Sequence, residues 1–583
     1  MGEHPEDVRT PAKFAGESDA MSEGTGWRFI LNPGITGRVL CWDESAGSMA
    51  LSLAGIAREV SVVHSDTGTL RTIQQALAAK GVANVACAQA WADGHRLPFP
   101  DGYFDGFITS DVNRASVLHA LADSQDIESA LQALFAEVYR VLKPGGFVYA
   151  SQQNRFGYDR IAGCFKSGDA AARHAQADDL VSFGSLKRAA GKSGFGLVKS
   201  YKLLTSHGAV EEIIPGREYS PSKNSFVLKQ RIKKSLLSGP LAEMLAPSMG
   251  MVCVKGEPLP GYLEALAADL IGRRVMSKNH DEKLVVERHL VLPGKVILSI
   301  GVAGKPGSAK IVIFPLTTAV LARLRDEAGI LMALREGNLR IRSLVPEYFL
   351  EGEVLGQKYL VQQEIPGTSI DAAVPSLDKM TWRALQVLVD FHRETSQEVV
   401  LQEDLFGTLF SNPLHRVAQK LGPASALSLQ RIEDILRSLL LGKRLRAVWM
   451  HGDYKIENLL FDPKSLQVTG VIDWDLSRKT GLPLLDLLYL IAYNRVIREA
   501  GEIEIIFLDC ILPGKLSEFE RAARDEYIRK TGMDAGFADI LTVMFWIYHV
   551  AFRIEVASGE GGQKQNMFRV LNAVGKSLEA RHG

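Results

Sequence analysis

Cysteine is scarce in this chain. Its 583 residues hold five, Cys41, Cys87, Cys164, Cys253 and Cys510, and the closest two stand 46 positions apart. That excludes CxxC and zinc-knuckle spacings, and the odd count argues for reduced, mostly buried thiols over a disulfide framework. Net charge is missing too. Lys+Arg and Asp+Glu both number 67, so no global field draws the chain to nucleic acid or anionic lipid. No apolar run reaches bilayer length. The longest, 540–552, has 13 residues and contains His549, against the roughly 20 that a span needs; it reads as a buried helix, with no membrane span. The first 26 residues carry Glu3, Glu6, Asp7 and Glu17 and no apolar centre. They read as a polar, flexible tail and not as a secretory signal, and the cytoplasm is the expected compartment. Internal repeats and a GxGxxG phosphate loop are lacking as well.

What is present is globular composition, 46% apolar and 23% charged, long enough for two to four domains at about 150 residues each. From Gly37 short β-rich runs (GRVLCW, VSVVHS, VANVACAQA, FDGFITSDV) alternate with helical periodicity (SMALSLAGIA, TLRTIQQALAAKG). A long amphipathic helix, DIESALQALFAEVYRVLKPGG, is stopped by Pro144-Gly145-Gly146 and followed by the strand FVYASQ. Such alternation implies a parallel sheet wrapped by helices. Residues 156–256 are less regular, with one more helix near 179–196, final strands at GLVKSYKLL and GMVCVK, and a basic stretch from Lys223 to Lys234 that reads as a solvated face. Residues 257–286 form a helical connector. Beyond it VERHLVL, KVILSI and KIVIFPL make a meander, a helix and a strand pair follow, and from Leu377 the chain reads as mostly helical.

The most informative stretch is 451–486. His451-Gly452-Asp453-Tyr454-Lys455-Ile456-Glu457-Asn458 precedes NLLF, the turn Asp462-Pro463-Lys464-Ser465 and the strand LQVTGVI, which ends in Ile472-Asp473-Trp474-Asp475. A hairpin there sets Asp453 and Asn458 before one strand and Asp473 after the other, so three oxygen-bearing side chains converge. Phosphoryl transfer needs one carboxylate to take the acceptor hydroxyl's proton and further hard oxygens to hold Mg²⁺ against nucleotide phosphates. The five-residue step from Asp453 to Asn458 is the spacing of the protein-kinase catalytic loop. With Gly481-Leu482-Pro483 and Asp486-Leu487 following in order, residues 287–583 resemble the aminoglycoside phosphotransferase and choline kinase family. The resemblance implies a bilobal protein-kinase-like (α+β) fold, ATP and Mg²⁺ as cofactors, Asp453 as catalytic base, and Asn458 and Asp473 as metal ligands. Asp475 is an additional acidic group, Asp486 is read as structural, and His451 braces the loop. Glu327 is the helix partner of a strand lysine that grips the phosphates. The usual lysine position holds Ile313. Lys310, three residues earlier on the opposite strand face, is taken as its substitute through a bulge or register shift, ahead of Lys305.

Residues 27–256 resemble a class I S-adenosylmethionine-dependent methyltransferase, an α/β Rossmann-like fold. The resemblance rests on Leu97-Pro98-Phe99-Pro100-Asp101-Gly102-Tyr103-Phe104-Asp105 and on EVYRVLKPGG. It implies S-adenosylmethionine contacts at Gly47, Asp66 and Asp93. The glycine-rich loop departs from the family pattern: Cys41 stands in the acidic position, Asp43 and Ser45 replace glycines, and His64 replaces the second-strand acid. Asp43 and Glu44 set negative charge where the cofactor carboxylate would lie, which favours a degenerate, non-methylating domain over a divergent working one.

The expected organisation is a tail (1–26), the methyltransferase-like domain (27–256, core 27–155), the connector (257–286), and a kinase-like N-lobe (287–365) and C-lobe (366–583). The expected activity is ATP- and Mg²⁺-dependent phosphorylation of a hydroxyl on a small molecule or glycan, beside a domain that binds or methylates the same substrate. A methyltransferase regulated by a kinase-like half, and a scaffold of two retired enzymes, are the alternatives. The sequence leaves the acceptor and the oligomeric state open.

Overall fold

The computed structural model describes residues 26–30, 35–42, 47–90, 96–109, 112, 127–154, 182–206, 209–215, 246, 248–257, 261–276, 282–292, 294–369, 376–499, 501–552 and 561–582. The basic stretch Lys223 to Lys234 lies outside them. Two compact units divide the described chain. One holds residues up to 322 together with 349–361; the other holds 323–348 and everything from 362 onward.

The first unit is built on parallel strands β1 (Arg38–Trp42), β2 (Glu59–His64), β3 (Val85–Gln89), β4 (Phe104–Thr109) and β5 (Leu142–Gln153). They lie in the order β3-β2-β1-β4-β5, and β1 pairs in parallel with both β2 and β4. Helices Ser48–Ala54, Thr67–Ala79 and Ile127–Val141 lie between successive strands of this series. Strands buried on both faces need near-continuous apolar runs, and in β1 every residue after Arg38 is buried. Strand β8 (Ser248–Val254) runs antiparallel to β5, and β6 (Gly196–Ser206) runs antiparallel to β8. This is the Rossmann-like α/β fold expected, with the strand order reversing between β1 and β4.

The two specific motifs of this half turn out to hold each other. Arg140 donates to the Leu97 carbonyl at 3.1 Å, the Phe99 carbonyl at 2.8 Å and Asp101 at 2.7 Å, while Glu137 accepts from the Leu97 N–H at 3.0 Å. Asp105 pairs with Lys143 at 2.6 Å and accepts from the Arg38 N–H at 2.8 Å. The long helix ends at Val141 instead of at Pro144-Gly145-Gly146, and those residues belong to β5. Proline keeps the preceding residue out of helical geometry, so the chain extends before the glycines, whose backbone pairs with Lys255.

Strand β7 (Ala209–Pro215), not foreseen, pairs antiparallel with β6 and also with β9 (Leu284–Leu292), through Glu212 and Leu290. The meander β9, β10 (Lys295–Val302) and β11 (Lys305–Pro315), with β13 (Gln357–Gln363) and β12 (Tyr348–Val354), therefore continues the same sheet to 13 strands. One apolar core serves both parts, taking in Val39, Ile108 and Phe147 together with Val296, Val312, Phe314 and Tyr359. The compact units consequently do not part at residue 286: the strands read as an N-lobe belong to the first unit's sheet.

The second unit packs helices Leu377–Thr395, Asn412–Leu421, Ala426–Leu440, Leu485–Glu499, Glu518–Thr531, Ala535–Phe552 and Gly561–His582 about a single core. Helix Ala535–Phe552 is long and apolar enough to cross a membrane, and 72% of its apolar window is buried in this core. Within a region read as mostly helical, β15 (Arg444–Met450) lies between β14 (Gln397–Val400) and β18 (Arg478–Gly481). The hairpin β16 (Leu459–Phe461) and β17 (Val468–Val471) forms as expected. Its turn is fixed by Asp462, which accepts from the Ser465 N–H at 2.7 Å and hydroxyl at 2.8 Å.

Candidate active site

The loop joining β15 to β16 carries the HGD motif, and a buried carboxylate fastens it. Asp486, fully buried, accepts from the His451 N–H at 2.8 Å and the Gly452 N–H at 2.9 Å. On its other side His392 Nε2 lies 3.3 Å away. Tyr527 extends the network: its hydroxyl is 2.7 Å from His392 Nδ1 and accepts from the Leu484 N–H at 3.0 Å. Burial alone would raise the Asp486 pKa; His392 and His451, whose protonated forms would attract it, and the bond from the His451 N–H hold it below the usual carboxyl range.

His451 does brace the loop. Its Nδ1 accepts from the Asp453 N–H at 3.2 Å, so Nε2–H donates to the Ile472 carbonyl at 3.1 Å. Gly452 must be glycine: φ is +83°, and a Cβ would stand 2.3 Å from the Leu476 carbonyl oxygen. Asp453 is buried, and its Oδ2 lies 3.4 Å from Lys455 Nζ. Asn458, also buried, donates its side-chain N–H to the Asp453 carbonyl at 3.0 Å, and its own carbonyl accepts from the Ile472 N–H at 3.0 Å. With Leu459 paired to Val471, the register sets Asn458 and Asp473 at the same end of the hairpin.

Asp473 sits at φ +67°, a left-handed conformation unusual for a non-glycine residue. Its neighbour holds it there. The Trp474 ring is fully buried, lies 4.5 Å from the His451 ring and donates Nε1–H to the Val471 carbonyl at 2.9 Å. The Trp474 N–H donates to Glu327 Oε1 at 3.2 Å. Glu327 is thus buried against the segment that carries Asp473. The donor set fits Mg²⁺ in kind, since Asn458 and Asp473 offer only hard oxygen ligands.

The geometry does not support Lys310 as the phosphate-gripping lysine. Pairing of β11 with β10 is unbroken from Lys310 to Pro315, and the irregularity lies on the other side of Lys310. Without the bulge that role needs, Lys310 shares a face with Val312 and Phe314, opposite Ile313. Its Nζ rests 4.2 Å above the Phe349 ring.

In the first half, Gly47 takes φ +99° ahead of helix Ser48–Ala54, as a tight turn at a strand's carboxyl end requires. Asp66 caps the next helix: its Oδ2 accepts from the Thr69 N–H at 2.6 Å and hydroxyl at 2.8 Å, bonds that lower its pKa. Asp43, Glu44, Ser45 and Asp93 lie outside the described residues. Cys41 and Cys253 are buried, and Cys87 and Cys510 are half-buried.

Sequence reasoning passed over Lys455, a lone loop lysine with no pattern to mark it. It also passed over His392 and Tyr527, 135 residues apart in sequence, whose partnership no spacing rule reveals.

Residues 302–509 match the Phosphotransferase enzyme family, and residues 45–150 match the Methyltransferase domain family. Among curated proteins, mouse "Acyl-CoA dehydrogenase family member 10" is 26% identical over 150 residues, which are 24% of this chain and 14% of that protein. The chain therefore spans a small part of that relative. Among solved structures, an aminoglycoside phosphotransferase of Streptomyces rimosus aligns at 17% identity and a TM-score of 0.30, covering 49% of this chain and 98% of its own. A SAM-dependent methyltransferase of Aquifex aeolicus aligns at 11% identity and a TM-score of 0.24, covering 38% of this chain and 85% of its own.

Proposed function

This chain joins a methyltransferase domain to a domain of the phosphotransferase enzyme family, and on that premise we propose that it transfers the terminal phosphoryl group of Mg·ATP to a hydroxyl of a small molecule or glycan, in the cytoplasm. What supports this reading is the hairpin register, which sets Asn458 and left-handed Asp473 at one end, with buried Asp453 tied to Asn458 by the bond from the Asn458 side chain to its carbonyl. A turn that only joined two strands would not need a strained aspartate, because glycine adopts that conformation freely.

In this mechanism Asp453 orients the acceptor hydroxyl and takes its proton as the oxygen attacks the terminal phosphorus, whose bond to the β,γ-bridging oxygen breaks to release ADP. Asn458 and Asp473 are the residues that would hold Mg²⁺, whose charge neutralises the phosphate oxygens. Lys455, 3.4 Å from Asp453, adds positive charge beside the reacting oxygens. Glu327 holds the Asp473 segment through Trp474 and acts by positioning.

We assign the methyltransferase-like half a binding role toward the same acceptor and not methyl transfer. Asp66, the replacement for the ribose-binding acid, already serves as a helix cap, and the motifs that mark this half are structural contacts around Arg140 and Asp105. The test uses the full chain. Asp453→Asn should abolish ATP-dependent phosphorylation while leaving calorimetric Mg·ATP affinity within a few-fold; turnover that survives the substitution defeats the assignment. Binding of S-adenosylmethionine in the same titrations would defeat the non-methylating role.

A further inference from the structure

Arginines of the second unit commonly meet carboxylates: Arg444 with Glu398, Arg437 with Glu403 and Glu433, Arg495 with Glu520, Arg498 with Asp378. Arg416 and Arg478 do not. Both direct their guanidinium groups at one ring, Phe552, at 4.9 Å and 3.7 Å from its centroid. Among the described residues neither has an ion-pair partner. Arg416 is exposed on helix Asn412–Leu421, and Arg478, at the start of β18, is half-buried. Burial lowers the Arg478 pKa, Tyr548 and Tyr489 work the other way, and the charge of Arg416 lowers it further. Two like charges held together without a counter-charge disfavour each other, and a bound anion removes that penalty.

The surroundings point toward the same end of the unit. His549 lies three residues before Phe552 on helix Ala535–Phe552, on the same face. It is 4% exposed, and its Nδ1 has no hydrogen-bond partner. Burial, with the charges of Lys455 and Lys420, takes its pKa down to about 4. A series of rings leads on to the base: His549 is 6.1 Å from Tyr489, Tyr489 is 6.4 Å from Tyr493, and Lys455 Nζ is 5.2 Å from the Tyr493 centroid.

We propose that Arg416 and Arg478, gathered on Phe552, form an anion-binding subsite for the acceptor, so that the molecule phosphorylated carries a carboxylate or phosphate group besides its hydroxyl. Planar guanidinium groups bind both oxyanions through paired N–H donors. The inference rests on the phosphotransferase reading for its role, although the anion site itself can be tested apart from it.

The experiment titrates the full-length chain with sulfate and with malonate, the nucleotide site being filled with Mg²⁺ and a non-hydrolysable ATP analogue. The wild type should bind at least one of them. Arg416→Gln and Arg478→Gln should each weaken it tenfold or more without changing nucleotide affinity, and Arg478→Lys, which keeps the charge and loses the fork, should fall between. Matched acceptors then name the anion. A tenfold advantage in kcat/KM for glycerate over glycerol, lost in the double variant, supports a carboxylate; the same advantage for glycerol 3-phosphate supports a phosphate. Equal binding by wild type and both Gln variants, or no binding by the wild type, overturns the proposal. A chain that loses anion binding in the variants yet never binds Mg·ATP refutes the phosphotransferase reading and leaves the anion site standing.

Discussion

Replacing Asp486 by asparagine asks whether one buried carboxylate holds the HGD loop in place. Two N–H groups donate to it, one to each oxygen, those of His451 and Gly452, and His392 Nε2 lies 3.3 Å away. Asparagine keeps the shape but presents one oxygen and an NH₂ group that cannot accept. At least one buried donor then loses its acceptor, at about 1–3 kcal/mol. The bonds that survive become neutral ones, roughly half as strong as those to a carboxylate. Together these predict a loss of about 3–4 kcal/mol, within the ~3–5 kcal/mol range for removing one partner of a buried charged pair. Urea unfolding followed by tryptophan fluorescence measures it, since Trp474 packs against His451 in the same loop network. The pH dependence has a definite sign. The folded carboxyl titrates below its usual value, so its stabilisation is complete above an ordinary Asp pKa of about 3.9 and fades only as pH falls through the folded value. Wild type and variant should thus converge in strong acid and not near neutrality. A loss under about 1 kcal/mol at neutral pH would refute the reasoning.

Three further outcomes follow from the same loop. Asp473→Gly should relieve the left-handed backbone and hold or raise stability by up to about 1 kcal/mol, while abolishing metal-dependent nucleotide binding in calorimetry; retained binding would remove Asp473 from the metal site. Gly452→Ala should lower stability by about 3 kcal/mol, because φ +83° and a backbone oxygen 2.3 Å from the new Cβ oppose it together; an unchanged urea midpoint would show that the loop can move aside. Glu327→Leu should leave the Trp474 N–H without its acceptor, reducing stability by about 1–3 kcal/mol, and Glu327→Gln, which restores an acceptor, should recover most of it.

The sequence alone determined what is local and periodic. Strand and helix alternation from Gly37, and the hairpin around Asp462-Pro463, depend on neighbours a few residues away, and both formed. The HGD-to-Asn458 spacing and the IDWD segment were likewise legible, because a short hairpin converts spacing directly into proximity. The family motifs of the first half were equally legible, yet their spacing could not say whether they bind a ligand; only the contacts of Arg140 and Asp105 show them serving the fold. Tertiary structure decided the rest. Whether Lys310 could reach across to the Ile313 face depended on where a bulge fell, which sequence parity cannot locate. The pairing of β7 with β9, which makes one sheet of two expected domains, joins residues about 80 apart through backbone groups that carry no sequence signature. The same holds for Asp486, His392 and Tyr527. A buried polar network is assembled from distant helices by packing, and each member by itself looks like an ordinary core or surface residue until burial forces it to find a partner.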